Sequence, residues 1–291
     1  MSGRNYYKSV FTVCVAFLFL FMLQAGAMAA DIASELATHF IAKTPAPEPA
    51  GAMQLSQAMK IQKEYLNIIG KEYGPVIGYK AGLTNEAVQK KFGVSHPLRG
   101  TLLEKMLVPS GTVMNADFGV RSLSEGDLIL RVKDDGINDA RTPEQILMHI
   151  DVAIPFIELP DLLFATDVKI NGPKLAAINV AARYGVVGDP IPIDPTTEWF
   201  DRLKNFTLQI LDEEGAVQAE GTGSSILGHP LKVVLWIKDS LNQDGVMLKK
   251  GDLLSLGTIT KLMPTKPGTT VTARYTNLAP DGPVEISVTF K

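Results

Sequence analysis

Apolar positions recur along this chain with two different periods. Over residues 55–72 they fall at Leu55, Met59, Tyr65, Leu66 and Ile69, a stripe that predicts an amphipathic helix. Leu36, Phe40 and Ile41 show helical spacing upstream, and the proline-bearing stretch 44–52 between the two reads as a linker. From Pro75 the pattern changes. "PVIGYKAGLT" predicts a short strand, with a helix over 85–92 capped by Thr84. "LSEGDLILRV" (123–132) and "IPFIELPDLLF" (154–164) predict two apolar strands. Between them, Thr142, Pro143 and Gln145 supply the cap, first position and capping-box residue of a helix. "FTLQILDEEGAVQAEG" alternates around a turn at 212–215 and predicts a hairpin. Pro230 opens a further helix, and "GDLLSLGTIT", "TVTARYT" and "VEISVTF" make a strand-rich tail. The pattern predicts an α+β protein: a small N-terminal helical part, then a body dominated by strands.

The first 29 residues have a different character. Arg4 and Lys8 precede an uncharged apolar run over 10–23, and Ala27-Met28-Ala29 follows with small residues at the −3 and −1 positions. That is the layout of a secretory signal peptide. The run is shorter than the ~20 residues of a spanning helix, so a cleaved leader is expected, with an uncleaved N-terminal anchor as the alternative. The expected division is a signal peptide over 1–29, a helical segment over 30–73 and a catalytic domain over 74–291. The mature protein is expected in the periplasm or secreted, with no stable membrane anchor. Cys14 is the only cysteine and lies in the leader, which excludes disulfides and thiolate chemistry from the mature chain. A net charge of −3 gives no basic footprint, so no nucleic-acid partner is expected.

The candidate chemistry is acidic. Side chains alternate faces along a strand, so Glu125 and Asp127 point the same way. Alone, they read as the wet face of a half-exposed strand. Glu158 is different, because Phe156, Ile157 and Leu159 surround it. A buried carboxylate is costly unless paired, hydrogen-bonded or bound to a metal. Three carboxylates without a competing thiolate suit Mg²⁺ or Mn²⁺. Lys80, among glycines and apolar residues, is a candidate proton carrier, or a strand-end lysine whose stem alone is buried. "GTGSSILGHP" (221–230) offers backbone N–H groups to an anion, with His229 as a helix cap. No phosphate-cradling loop, dinucleotide fingerprint or nucleophile elbow occurs, and His39, His96 and His149 lack metal-ligand spacing.

Taken in order, "GYKAGLT", "GVSHPLRGTLL", Glu125-x-Asp127, "IPFIE", "GTGSSILGHPLKVVLWI" and "GDLLSLG" resemble the 2-keto-4-pentenoate hydratase family of the fumarylacetoacetate hydrolase superfamily. The resemblance covers most of the chain from Gly78 to Phe290. It implies a strand-rich, rolled mixed β-sheet and a homo-oligomer. It implies Mg²⁺ or Mn²⁺ held by Glu125, Asp127 and Glu158, with Lys80 in the acid–base machinery. Ser224, Gly223 and Asn179 match substrate-binding positions. The implied reaction is hydration of a 2-hydroxy-2,4-dienoate, a small 2-oxo acid of aromatic-compound catabolism. Three residues depart from the family pattern: Leu98 stands where an aspartate is usual, Asp127 where a glutamate is, and Leu256 where a threonine is. The leader is also unusual for the family. These departures open two alternatives. One is a decarboxylase, tautomerase or C–C bond hydrolase on the same metal site; the other is a non-catalytic exported carboxylate-binding protein.

Overall fold

A computed structural model describes residues 28–291. The predicted leader therefore lies outside the described residues, except that Met28 and Ala29 begin a helix, α1, over 28–42. A coil over the proline-bearing stretch leads to α2 (Leu55–Tyr73). Then come β1 (Val76–Gly82), α3 (Glu86–Phe92), β2 (Leu98–Leu103), β3 (Leu107–Pro109), β4 (Thr112–Met114) and β5 (Leu123–Val132). α4 (Pro143–Leu147), β6 (Ile150–Leu159), α5 (Gly172–Ala177), β7 (Tyr184–Val187) and β8 (Ile191–Pro192) follow. The predicted hairpin is β9 (Thr207–Leu211) and β10 (Val217–Thr222), preceded by α6 (Thr197–Asn205). The chain closes with α7 (Pro230–Gln243), β11 (Leu253–Ser255), β12 (Met263–Pro264), β13 (Thr270–Ala279) and β14 (Gly282–Phe290). Among the described residues no helix is long and apolar enough to cross a membrane.

Local chemistry explains most boundaries. Thr142 accepts from Gln145 N at 3.3 Å, and Pro143 needs no N–H partner at the first helical position of α4. His229 caps α7 by accepting from Leu231 N at 3.1 Å. One expectation is corrected: the cap of α3 is Asn85, which accepts from Ala87 N at 2.9 Å, while Thr84 is buried one residue earlier.

The strands form two sheets. The larger is mixed, in the order β2-β1-β11-β5-β6-β7-β3, with β12 on β5 and β8 on β6. The smaller has the order β10-β9-β13-β14-β4. Leu128, Leu130 and Ile157 of the first sheet share one core with Leu208, Ile210 and Tyr275 of the second. This is the α+β, rolled mixed-sheet architecture expected from the sequence. Gly126 permits the contact, since a Cβ there would stand 2.6 Å from Leu208 Cδ2.

The helical part covers the other face. Leu36, Phe40 and Tyr65 pack with Leu163, Phe164 and Ile178 in a second core. A fully buried ion pair, Arg183 Nη1 to Asp161 Oδ2 at 3.0 Å, joins the layers. The Arg183 guanidinium also donates to Phe40 O at 2.9 Å and lies 4.1 Å from the Phe40 ring centroid. Asp161 Oδ1 accepts from Val120 N and Arg121 N at 2.9 and 2.8 Å. Both charges are thus paired and hydrogen-bonded, though Arg183 Nε is left without a partner among the described residues; pairing is the condition under which buried charges are tolerated.

Tyr275 bolts the two sheets together. Its hydroxyl accepts from Phe156 N at 2.9 Å and donates to Asp127 O at 2.6 Å. Asp127 and Phe156 are register partners in the β5–β6 pair. Tyr275→Phe keeps the ring but leaves both backbone groups unpaired, so urea denaturation should show a loss of about 1–3 kcal/mol. An unchanged denaturation midpoint would contradict this role.

Candidate active site

Antiparallel pairing of β5 with β6 sets Glu125 directly opposite Glu158, and Asp127 lies two residues along on the same face. That face is not wet. Glu125, Asp127 and Glu158 are 4, 0 and 2 % exposed, and Lys80, from β1, is 2 % exposed. The solvated-face reading of the first two acids is therefore corrected: other segments of the chain cover this side of the strand. Lys80 Nζ forms an ion pair with Glu158 Oε1 and donates to Val180 O at 3.0 Å. Gly100, its register partner on β2, leaves room for the lysine stem; a Cβ there would lie 2.8 Å from Lys80 Cγ. Thr258 Oγ1 donates to Glu125 Oε2 at 2.6 Å. Asp127 is fully engaged. It accepts from Ser255 Oγ at 2.5 Å, Leu128 N at 2.6 Å and Leu256 N at 3.2 Å. Glu158 Oε2 is buried and, apart from the facing Glu125 carboxyl, has no hydrogen-bond partner among the described residues.

The electrostatics follow from this crowding. Burial pushes the Glu125 carboxyl well above its usual range, and the facing Glu158 pushes it further, against the pull of Lys80 and Thr258. Burial and Glu158 likewise raise Asp127, opposed by its bonds from Ser255 and Leu128. Fully ionised, three carboxylates against one ammonium leave two negative charges uncompensated. As the side chains stand, no group of three or more His, Cys, Asp or Glu among the described residues forms a coordination cluster. Lys80 holds one oxygen of Glu158, and Ser255 with two backbone amides holds Asp127.

A backbone feature positions the lysine. Asn179, Val180 and Ala181 are consecutive left-handed residues, with φ of 56°, 52° and 59°. Such a run is unfavourable without glycine, most of all at β-branched Val180. Asn179 braces it, accepting from Thr101 N at 2.7 Å and donating to Thr101 O at 2.8 Å. Asp161 N donates to Ala181 O at 2.9 Å on the other side. The turn thereby points Val180 O at Lys80. Asn179, expected at the substrate, is instead fully buried as this brace.

A cavity of about 510 Å³ opens onto the acids. Lys80, Glu125, Thr84, Thr258 and Ser225 give it a polar end. Glu125 is the one acid of the three that lines it. The glycine-rich loop contributes Ser225 rather than the expected Gly223 and Ser224. Gly223 is pressed against Leu203 O, where a Cβ would approach to 2.0 Å, and Ser224 pairs with Thr222 Oγ1 at 2.8 Å. Thr84 was read from the sequence only as a helix cap and Thr258 was not singled out; the only hint was their place beside glycine-bearing strand ends. Leu98 is buried in the same apolar cluster as Val180 and Ala181 and brings no charge to the site.

No family model matches the chain. A 4-oxalocrotonate decarboxylase of Pseudomonas putida is 25% identical over 249 residues, 84% of this chain and 90% of that relative. A 2-hydroxyhexa-2,4-dienoate hydratase of Comamonas testosteroni is 26% identical over 222 residues, 74% of this chain and 80% of that one. Among solved structures, a 4-oxalocrotonate decarboxylase from Pseudomonas putida, complexed with magnesium and adipate, has the same fold. It aligns with a TM-score of 0.76 at 23% identity over 93% of this chain and 98% of its own. The chain is thus similar, at about a quarter identity over most of its length, to decarboxylases and hydratases that include 2-keto-4-pentenoate hydratases, and it shares the fold of the solved decarboxylase.

Proposed function

We propose that this protein is a divalent-cation-dependent lyase of small 2-oxo acids, and that its reaction is hydration of a 2-hydroxy-2,4-dienoate. The observation that carries the reading is the buried set of three carboxylates and one lysine, of which Glu125 and Lys80 line the cavity. The donor set fits Mg²⁺ or Mn²⁺. It is all oxygen, it has two charges in excess when fully ionised, and Glu158 Oε2 faces the Glu125 carboxyl with no other donor among the described residues. Glu125, Asp127 and Glu158 would hold the ion. When bound, a divalent cation supplies Lewis-acid stabilisation of the negative charge that develops on the 2-oxo oxygen.

The chain's own groups do the rest. Glu158 and Val180 O hold the Lys80 ammonium at the acids, where Nζ carries the proton that moves between enol oxygen and substrate carbon. Thr258 fixes the orientation of Glu125 from one side. Thr84 and Thr258 line the cavity, and their hydroxyls can orient the water that adds. Leu98 supports a second reading, decarboxylation of a 2-oxo dicarboxylic acid. That reaction uses the same stabilised enolate without a carboxylate to handle water.

Full-length protein with Mg²⁺ or Mn²⁺ should consume 2-hydroxypenta-2,4-dienoate, and EDTA should stop it. No turnover with either ion contradicts the proposal, and release of CO₂ from a 2-oxo dicarboxylate alone selects the second reading. Lys80→Ala should lower kcat by about 10²–10⁴-fold, the usual worth of a positioned proton carrier. Its Mn²⁺ affinity should change little, and an unaltered kcat would remove Lys80 from the chemistry. Glu125→Gln and Glu158→Gln should each weaken Mn²⁺ binding, measured calorimetrically, by more than the ~10–100-fold that losing an outer-shell partner costs. Wild-type affinity in both variants would place the ion elsewhere.

A further inference from the structure

The cavity is much larger than its charged end. Beyond Lys80 and Glu125 its wall is made by Leu83, Val88, Phe92, Leu162, Leu175 and Leu262. These come from α3, α5 and the segments after β1, β6 and β11. Leu83, Phe92 and Leu162 pack against the apolar core of the helical part, so the wall is the solvent-facing side of a hydrophobic cluster.

Cations are scarce there. The lining holds two lysines. Lys80 is committed to Glu158 and Val180 O, and Lys261 is exposed at the mouth beside Leu262. Among the described residues no arginine lines the cavity. Arg183 is bound to Asp161, and Arg99 pairs with Asp244. A carboxylate placed against Leu83, Val88, Phe92 and Leu162 would be stripped of water, with the exposed Lys261 as the one lining cation not already committed to the acids. An alkyl or aryl tail in the same space gains roughly fourfold in affinity for each methylene buried.

We infer that this site selects 2-oxo acids with an apolar tail and discriminates against those ending in a second carboxylate. The inference rests on the 2-oxo acid reading above and deepens it. It assigns Val88, Phe92 and Leu162 as the residues that set tail specificity. It also weighs against decarboxylation of a dicarboxylate, since that substrate would bring its second charge into this half of the cavity.

Three probes with one headgroup test it: pyruvate, 2-oxohexanoate and 2-oxoadipate, titrated calorimetrically into the full chain with saturating Mg²⁺. The last two have the same number of carbons and differ in the terminal group. 2-Oxohexanoate should bind more tightly than pyruvate and at least about tenfold more tightly than 2-oxoadipate. Phe92→Ala should erase most of the gain over pyruvate while pyruvate itself binds as before. Val88→Lys, at a position already 37% exposed, should raise 2-oxoadipate affinity without threatening the fold. Tighter or equal binding of 2-oxoadipate by the unaltered protein overturns the inference and leaves the 2-oxo acid reading standing. Failure of all three probes to bind overturns that reading, and this inference with it.

Discussion

One buried ammonium faces three buried carboxylates, and the architecture is organised around keeping that imbalance out of water. Moving a charge into a low-dielectric interior is expensive, and a pair is tolerated only when its members meet opposite charge or hydrogen bonds. Lys80 satisfies one oxygen of Glu158, Thr258 one oxygen of Glu125, and Ser255 with two backbone amides satisfies Asp127. What remains is a Glu158 oxygen that faces only the Glu125 carboxyl among the described residues, and carboxyls raised well above their usual range. A site with these properties stores an affinity for positive charge, and that affinity is the physical content of the proposed function.

Keeping such a cluster in place requires rigid neighbours. Tyr275 reaches from the second sheet to the backbone at Asp127 and Phe156, two register positions from the facing glutamates. On the opposite side, the Asp161–Arg183 pair ties the end of β6 to Phe40 in the N-terminal helical part. Between these fixed points lies the left-handed run Asn179–Ala181, braced by Asn179 on Thr101. Strain of this kind persists only where the surroundings over-determine it, and here it aims a carbonyl at the lysine. The N-terminal helices thus take part in shaping the site.

Much of this was legible in the sequence. The apolar stripe of α2, the hairpin at Asp212 and the Pro-initiated helices follow from local periodicity and capping, which need no tertiary context. Glu158 announced itself by its apolar neighbours, and its partnership with Glu125 and Asp127 needed the family motif. Other features depend on packing between distant segments and have no local signature. Nothing in "AAINVAARYG" marks three left-handed residues, because glycine, the usual signal, is absent. Asn179 was expected at the substrate only through the family resemblance, and the amide that both donates and accepts serves here as a brace. Ser224 and Ser225 are neighbours in a loop, and the one that lines the cavity is decided by a contact between Gly223 and Leu203. Arg183 and Asp161 lie far enough apart that their pairing is visible only in three dimensions.

The most direct test of the charge imbalance is the location of Mn²⁺ in crystals of the full-length protein, read from its anomalous scattering. The expected result is one ion per chain at Glu125 and Glu158, the two glutamates that face each other across the β5–β6 pair. No ion at saturating Mn²⁺, or an ion bound away from these carboxylates, would contradict the proposed site.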